Sequence, residues 1–114
     1  MASDKDFVEF TVDQMRNAGE ISSRKMFGEY AVYCDGKVVA LICDNYLFIK
    51  PTEKGRAFIG DVVEAPPYPS AKLHFLIEDQ FEDSDWISRL VRITADELPI
   101  PKPRRPRAKR RGVK

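Results

Sequence analysis

Tyr30-Ala31-Val32-Tyr33-Cys34, Asp35-Gly36, Lys37-Val38-Val39-Ala40-Leu41-Ile42-Cys43, Asp44-Asn45 and Tyr46-Leu47-Phe48-Ile49-Lys50 run consecutively, and this stretch decides the fold. Three runs rich in β-branched and aromatic residues are separated by two-residue breaks. Asp-Gly between such runs is a strong hairpin signal, because a type I′ turn needs positive φ at both central residues. Asp44-Asn45 repeats the logic more weakly. The stretch therefore predicts a three-stranded antiparallel meander. If both turns hold two residues, Tyr33 faces Val38, Ala31 faces Ala40, Ile42 faces Leu47 and Ala40 faces Ile49 on one side. Tyr30, Val32, Val39, Leu41, Cys43, Tyr46 and Phe48 then share the other. Both sides are apolar, so each needs cover, and this motivates a homodimer. In the same register Cys34 faces Lys37 and Cys43 lies near Gly28, so the two cysteines do not pair.

Outward from the meander, Val8, Val12, Met15 and Ala18 recur at helical spacing, widened by Phe7 and Phe10. Ser3 and Asp6 resemble a capping box and Gly19 a stop, giving a first helix over about residues 4–18. Pro51 closes the third strand, and Thr52 is placed to cap a short helix to about Phe58. Gly60, Pro66, Pro67 and Pro69 mark an irregular crossing. Lys72 to Ile77 reads as one more strand. A last helix over about 84–97 puts Ile87, Leu90, Val91 and Thr94 on one face, Trp86 and Ile93 on another, and ends at Pro99. The expected fold class is α+β: a two-layer domain whose antiparallel sheet, the meander plus at least one further strand, packs against helices.

Residues 1–99 form the expected domain and residues 100–114 a disordered basic tail. The chain has 114 residues, 43% hydrophobic and 32% charged, an ordinary globular composition with room for one core. No segment approaches the ~20 apolar residues of a membrane span, and the N-terminus lacks the apolar core of a secretory signal. Two cysteines make no disulfide framework, which points to a reducing, cytoplasmic setting. The net charge of +1 conceals a division. The tail carries eight basic residues (Lys102, Arg104, Arg105, Arg107, Lys109, Arg110, Arg111 and Lys114) and no acid, which leaves residues 1–99 at −7. Pro101, Pro103 and Pro106 keep the tail extended, and its arginines suit bidentate phosphate contact. Without tail aromatics such contact is non-specific. A merely solubilising role and docking on the acidic loop Glu78–Asp85 are the other readings of the tail.

The run Arg24-Lys25-Met26-Phe27-Gly28-Glu29-Tyr30-Ala31-Val32-Tyr33, followed by Asp35-Gly36-Lys37, resembles the signature of the TfoX/Sxy family N-terminal domain. Phe48-Ile49-Lys50 and Pro66-Pro67-Tyr68 resemble its later segments, so the likeness covers roughly residues 5–98. It implies a small α/β domain similar to secretion-chaperone-like folds. It also implies a non-enzymatic regulator, because named members are competence co-activators acting with the cyclic-AMP receptor protein. Arg24, Met26, Phe27, Gly28, Tyr30, Tyr33, Asp35 and Gly36 are the signature positions. This chain has a basic tail where full regulators carry a C-terminal helical domain. It also has Glu29 where many relatives have a second glycine.

The residues offer catalysis little. His74 is the sole histidine, alternating with Leu73 and Phe75 along a strand, and reads as packed or surface-lying. Cys34 and Cys43 form no Cys-x-x-Cys pair, and neither has a visible oriented base. The acidic loop lacks the spacing of a calcium loop, and Asp83 and Asp85 instead suit the positive start of the last helix. No cofactor or metal is called for. The expected function is a regulatory domain that contacts a protein partner through its sheet or the Met26–Tyr33 region, with loose nucleic-acid contact through the tail and no membrane role. The competing readings are a ligand-binding or enzymatic domain with a pocket near His74 and Cys43, and a purely self-associating structural domain.

Overall fold

The computed structural model describes residues 3–26 and 29–99. Helix α1 (Lys5–Gln14) leads into strands β1 (Ile21–Met26), β2 (Glu29–Cys34), β3 (Lys37–Cys43) and β4 (Tyr46–Ile49). Helix α2 (Glu53–Ile59), strands β5 (Val63–Ala65) and β6 (His74–Ile77) and helix α3 (Ser84–Glu97) follow. All six strands form one antiparallel sheet in the order β1-β2-β3-β4-β6-β5. The fold is therefore α+β, with the helices on one face. The predicted meander is its centre, bounded by two turns with positive φ at Asp35 and Gly36 and at Asp44 and Asn45.

One residue changes the predicted faces. Tyr33 pairs with Val38 as expected, but Val32 pairs with Ala40 and Ala31 with Leu41, so Val39 is the extra residue of a β-bulge. A turn-based count has no way to anticipate the insertion. Beyond it every residue of β2 stands one position from its expected partner. Tyr30, Val32 and Cys34 therefore share the inner face with Ala40, Ile42, Leu47 and Ile49, whereas Ala31, Tyr33 and Val38 join Leu41, Cys43, Tyr46 and Phe48 outside. Val39 and Ala40 both belong to the core.

The core lies between the inner face and the helices: Val8, Val12 and Met15 from the N-terminal segment, and Ile87, Leu90, Val91 and Ala95 from α3, are buried against Ile42, Leu47, Ile49 and Phe75. Trp86 packs on Phe58 of α2, with ring centroids 5.4 Å apart. Asp83 caps α3 by accepting from the Trp86 amide at 3.1 Å, and Thr52 caps α2 by accepting from the Gly55 amide at 3.0 Å. The first helix is shorter than expected. It ends at Gln14, and a 3-10 turn over Arg16–Ala18 brings the chain round, with Met15 fully buried at the junction. The expected capping box does not form, because the Ser3 hydroxyl donates to Glu29 Oε1 at 2.7 Å instead. Strands β1 and β5 appear where none was expected.

Both ends of the meander are tied down. At the β2–β3 turn, the Asp35 carboxylate accepts from the Glu20 amide and from Arg92 Nη1, each at 2.9 Å. Arg92 also donates to the Ala18 carbonyl and to Asp96, tying α3 to the turn. The Glu20 amide, followed by Arg92, holds the Asp35 carboxyl below the usual carboxylate range. A Cβ on Gly19 would stand 2.9 Å from Asp35 Oδ1, which explains a glycine beside this knot. At the β3–β4 turn, Asn45 Oδ1 accepts from the Asp4 amide and Ser3 Oγ from the Asn45 amide.

Candidate functional site: the outer face of the sheet

The bulge sets what the outer face presents. On β2 and β3 it shows Ala31 and Tyr33, then Leu41 and Cys43; β4 adds Tyr46 and Phe48, and β6 adds His74 and Leu76. Among the described residues no helix covers this side. The connection between β5 and β6, residues 66–73, leaves at the His74 end of the strands. Yet Pro67, Tyr68 and Pro69 line one groove together with Met26, Leu41 and Cys43, so the connection lies back across the face. The groove has a volume of about 600 Å³, within the usual range of ligand and peptide sites.

The connection is shaped by its own sequence. The Ala71 amide donates to the Tyr68 carbonyl at 3.1 Å, closing a turn with Pro69 and Ser70 in the middle. Proline fixes a negative φ at the first central position, and Ser70 takes φ +72° at the second, the pattern of a type II turn in which glycine is usual. Tyr68 is left 55% exposed, Met26 41% and Tyr46 50%.

The groove is apolar except at one end, where Glu29 and Asp44 contribute carboxylates. Glu29 accepts from the Asp44 amide at 3.2 and 3.1 Å as well as from Ser3. Its carboxylate therefore joins the N-terminal segment to the β3–β4 turn. Burial pushes the Cys43 thiol up to about 11, with Glu29 and then Asp44 adding to the effect. At neutral pH this sulfur is a protonated, poorly nucleophilic thiol. His74 does not line the groove. Its Nδ1 lies 2.9 Å from the Lys72 carbonyl, so the structure does not bring the imidazole and Cys43 into one pocket. Cys34 is buried on the other face, and both cysteines are free.

The signature residues divide. Met26 lines the groove, and Tyr30 borders it while packing against the core from the inner face. Arg24 is exposed opposite Ala31 and lines a separate shallow hollow with Ser22, Tyr33 and Gly36. Asp35 and Gly36 form the turn and its knot with Arg92. Phe27, Gly28 and the eight basic tail residues, Lys102, Arg104, Arg105, Arg107, Lys109, Arg110, Arg111 and Lys114, lie outside the described residues. Sequence reasoning missed Glu29 and Asp44 as rim groups and Pro69 as a wall. The Pro66-Pro67-Tyr68 segment was the available signal. Among the described residues no three His, Cys, Asp or Glu side chains converge as a metal site would need, and no helix is long and apolar enough to cross a membrane.

This arrangement can be set against known proteins. A family model described as the TfoX N-terminal domain matches residues 13–98. The chain belongs to the TfoX N-terminal domain family. It is also 41% identical over 113 residues to an "uncharacterized 12.7 kDa protein in trpE 5'region" of Spirochaeta aurantia, covering 99% of this chain and 98% of that one. In TfoX terms, the family match takes in every strand of the sheet and both walls of the groove, Met26 to Cys43 and Pro67 to Pro69. The alignment with the Spirochaeta protein extends beyond it to nearly the whole chain.

Proposed function

We propose that this TfoX N-terminal domain is a non-enzymatic, competence-regulator-like interaction module that grips a protein through its outer sheet face, while its basic tail holds it loosely to nucleic acid. The observation that carries the reading is the groove. It offers exposed Met26 and Tyr68 side chains over a sheet floor, the apolar and aromatic chemistry of a protein contact. Among the described residues its ionisable groups besides Tyr30 and Tyr68 are two carboxylates and a thiol held protonated, a poor set for hydrolysis or group transfer. The acidic body at −7 repels phosphate, so contact with nucleic acid falls to the tail at +8. Two weak contacts in one chain multiply, giving avidity at a nucleic-acid-bound partner.

The test is duplex binding across a salt series, with the full chain compared against a variant in which all eight tail lysines and arginines are glutamine. With eight charges engaged, the log–log salt slope approaches about −7 for the natural chain. The variant should lose both affinity and slope. Equal binding by the two would move the contact to the acidic body and end the reading.

A further inference from the structure

We infer that the outer-face groove receives the Pro103-Arg104-Arg105-Pro106 segment of a second copy of this chain. The inference deepens the interaction-surface reading by naming the occupant, and it rests on that reading. Three observations converge on it. First, the walls are Met26, Leu41, Tyr68 and two prolines, and aromatic-lined grooves of this kind hold proline-rich segments whose φ is already fixed. Second, the end of the groove carries Glu29 and Asp44, and among the described residues no lysine or arginine lines it. A carboxylate has about four acceptor positions, and Glu29 keeps some of them after its bonds from Ser3 and Asp44. Arginine suits such a rim because its guanidinium both stacks on a tyrosine and meets a carboxylate with paired donors. Third, the segment brings two arginines, +2, from a tail at +8, to a body at −7.

Where the described chain ends decides between its own groove and a neighbour's. The α3 C-terminus is fixed at the Lys37 end of the sheet, where Lys37 Nζ donates to the Ala95 carbonyl at 2.7 Å and Glu97 lies 3.9 Å from Lys54. The carboxylate rim is at the other end of β3 and on the opposite face. Six residues of β3 separate Lys37 from Cys43, about 20 Å, and passing from the helix layer to the far face adds on the order of 10 Å. Seven residues from Leu98 to Arg105 cover about 22 Å in an extended proline-rich chain. The arginines reach their own rim only with backbone and side chains fully stretched, while a neighbouring molecule imposes no such limit.

The experiment places p-benzoylphenylalanine at position 68 in the full chain, mixes it with isotope-labelled unmodified chain, and maps photo-crosslinks by mass. Links from position 68 to residues 101–107 of the other chain, increasing with protein concentration, are expected. They should fall at least tenfold in R104E/R105E/R107E and in about 1 M salt, where the Debye length is ~3 Å. Links confined to one chain, links only to the body of the second copy, links indifferent to charge reversal, or none at all would each overturn the inference. A second readout leaves the loop untouched: the Met26 methyl resonance of the full chain should shift with concentration in the natural sequence and stay fixed in R104E/R105E/R107E. A resonance that behaves alike in both counts against docking. Neither measurement contains nucleic acid, so failure here and failure of tail–duplex contact are separate results.

Discussion

On the inner side of the sheet, Ile42, Leu47, Ile49 and Phe75 are fully buried under α1 and α3. One residue along the same strands, Leu41, Tyr46 and Leu76 face the other way and stay half-buried or exposed, although Ala31, Cys43 and Phe48 of that face are buried. The side chains are of the same kind on both sides, so hydrophobicity does not distinguish them. What differs is the cover. Helices with long apolar faces seal one side, and eight residues containing three prolines partly roof the other. The inner face stabilises the domain, and the outer face is left available for contact.

The largest effect should come from testing that division directly. Ile42→Ala removes a fully buried side chain between sheet and helices and should cost about 2–5 kcal/mol. Leu41→Ala, its neighbour on the outer face, should cost about 1 kcal/mol because less area returns to water. Urea unfolding of both variants makes the comparison, and equal losses would mean the outer face is as much core as the inner.

The two thiols sharpen it. Cys34 is fully buried inside and Cys43 lines the groove outside, and burial raises both thiols. Native-state alkylation should modify Cys43 at least tenfold faster than Cys34, read by mass mapping; matched rates would show the groove to be closed. A thiol near 11 in the folded chain and 9.0 in the unfolded one keeps its proton longer when folded. Its contribution to stability is thus complete below pH 9 and is lost as pH rises from 9 through 11. Cys43→Ala should flatten that limb of the stability–pH curve.

The smallest effect lies in the roof itself. Ser70→Gly relieves a side chain held at φ +72° and offsets part of that gain through a freer unfolded chain. A net rise of about 0.5 kcal/mol is expected in urea unfolding. A fall would mean that the serine side chain contributes to the loop in a way its backbone angle does not reveal.

The sequence made the elements next to strong local signals legible: the Asp35-Gly36 and Asp44-Asn45 turns, the capped α2, and α3, whose apolar spacing gave its face and whose start near Ser84 and stop before Pro99 gave its ends. Strand β1 escaped because Ile-Ser-Ser-Arg-Lys-Met has one buried residue, Ile21, and no alternation. It is a strand by virtue of backbone pairing with β2 at the sheet edge. Strand β5 escaped for a similar reason, being three residues long and followed at once by prolines. The knot at Asp35 joins residues 57 positions apart, which no local pattern encodes. For the site, Met26 and Tyr30 were legible through the signature, but the groove depends on a bulge and on a connection folding back over the sheet. Both are consequences of packing.

The bulge has one more implication. Tyr33 faces Val38 and Val32 faces Ala40, with Val39 between them, so deleting Val39 would leave an unbroken ladder in which every other side chain keeps its present orientation. The chain would surrender a filled position and the bond from the Lys50 amide to the Val39 carbonyl, but neither surface would be inverted. A length change in the middle of a central strand, ordinarily ruinous, is here a local loss of packing. Homologues differing by one residue at this point can therefore be aligned without inverting the outer face of the sheet.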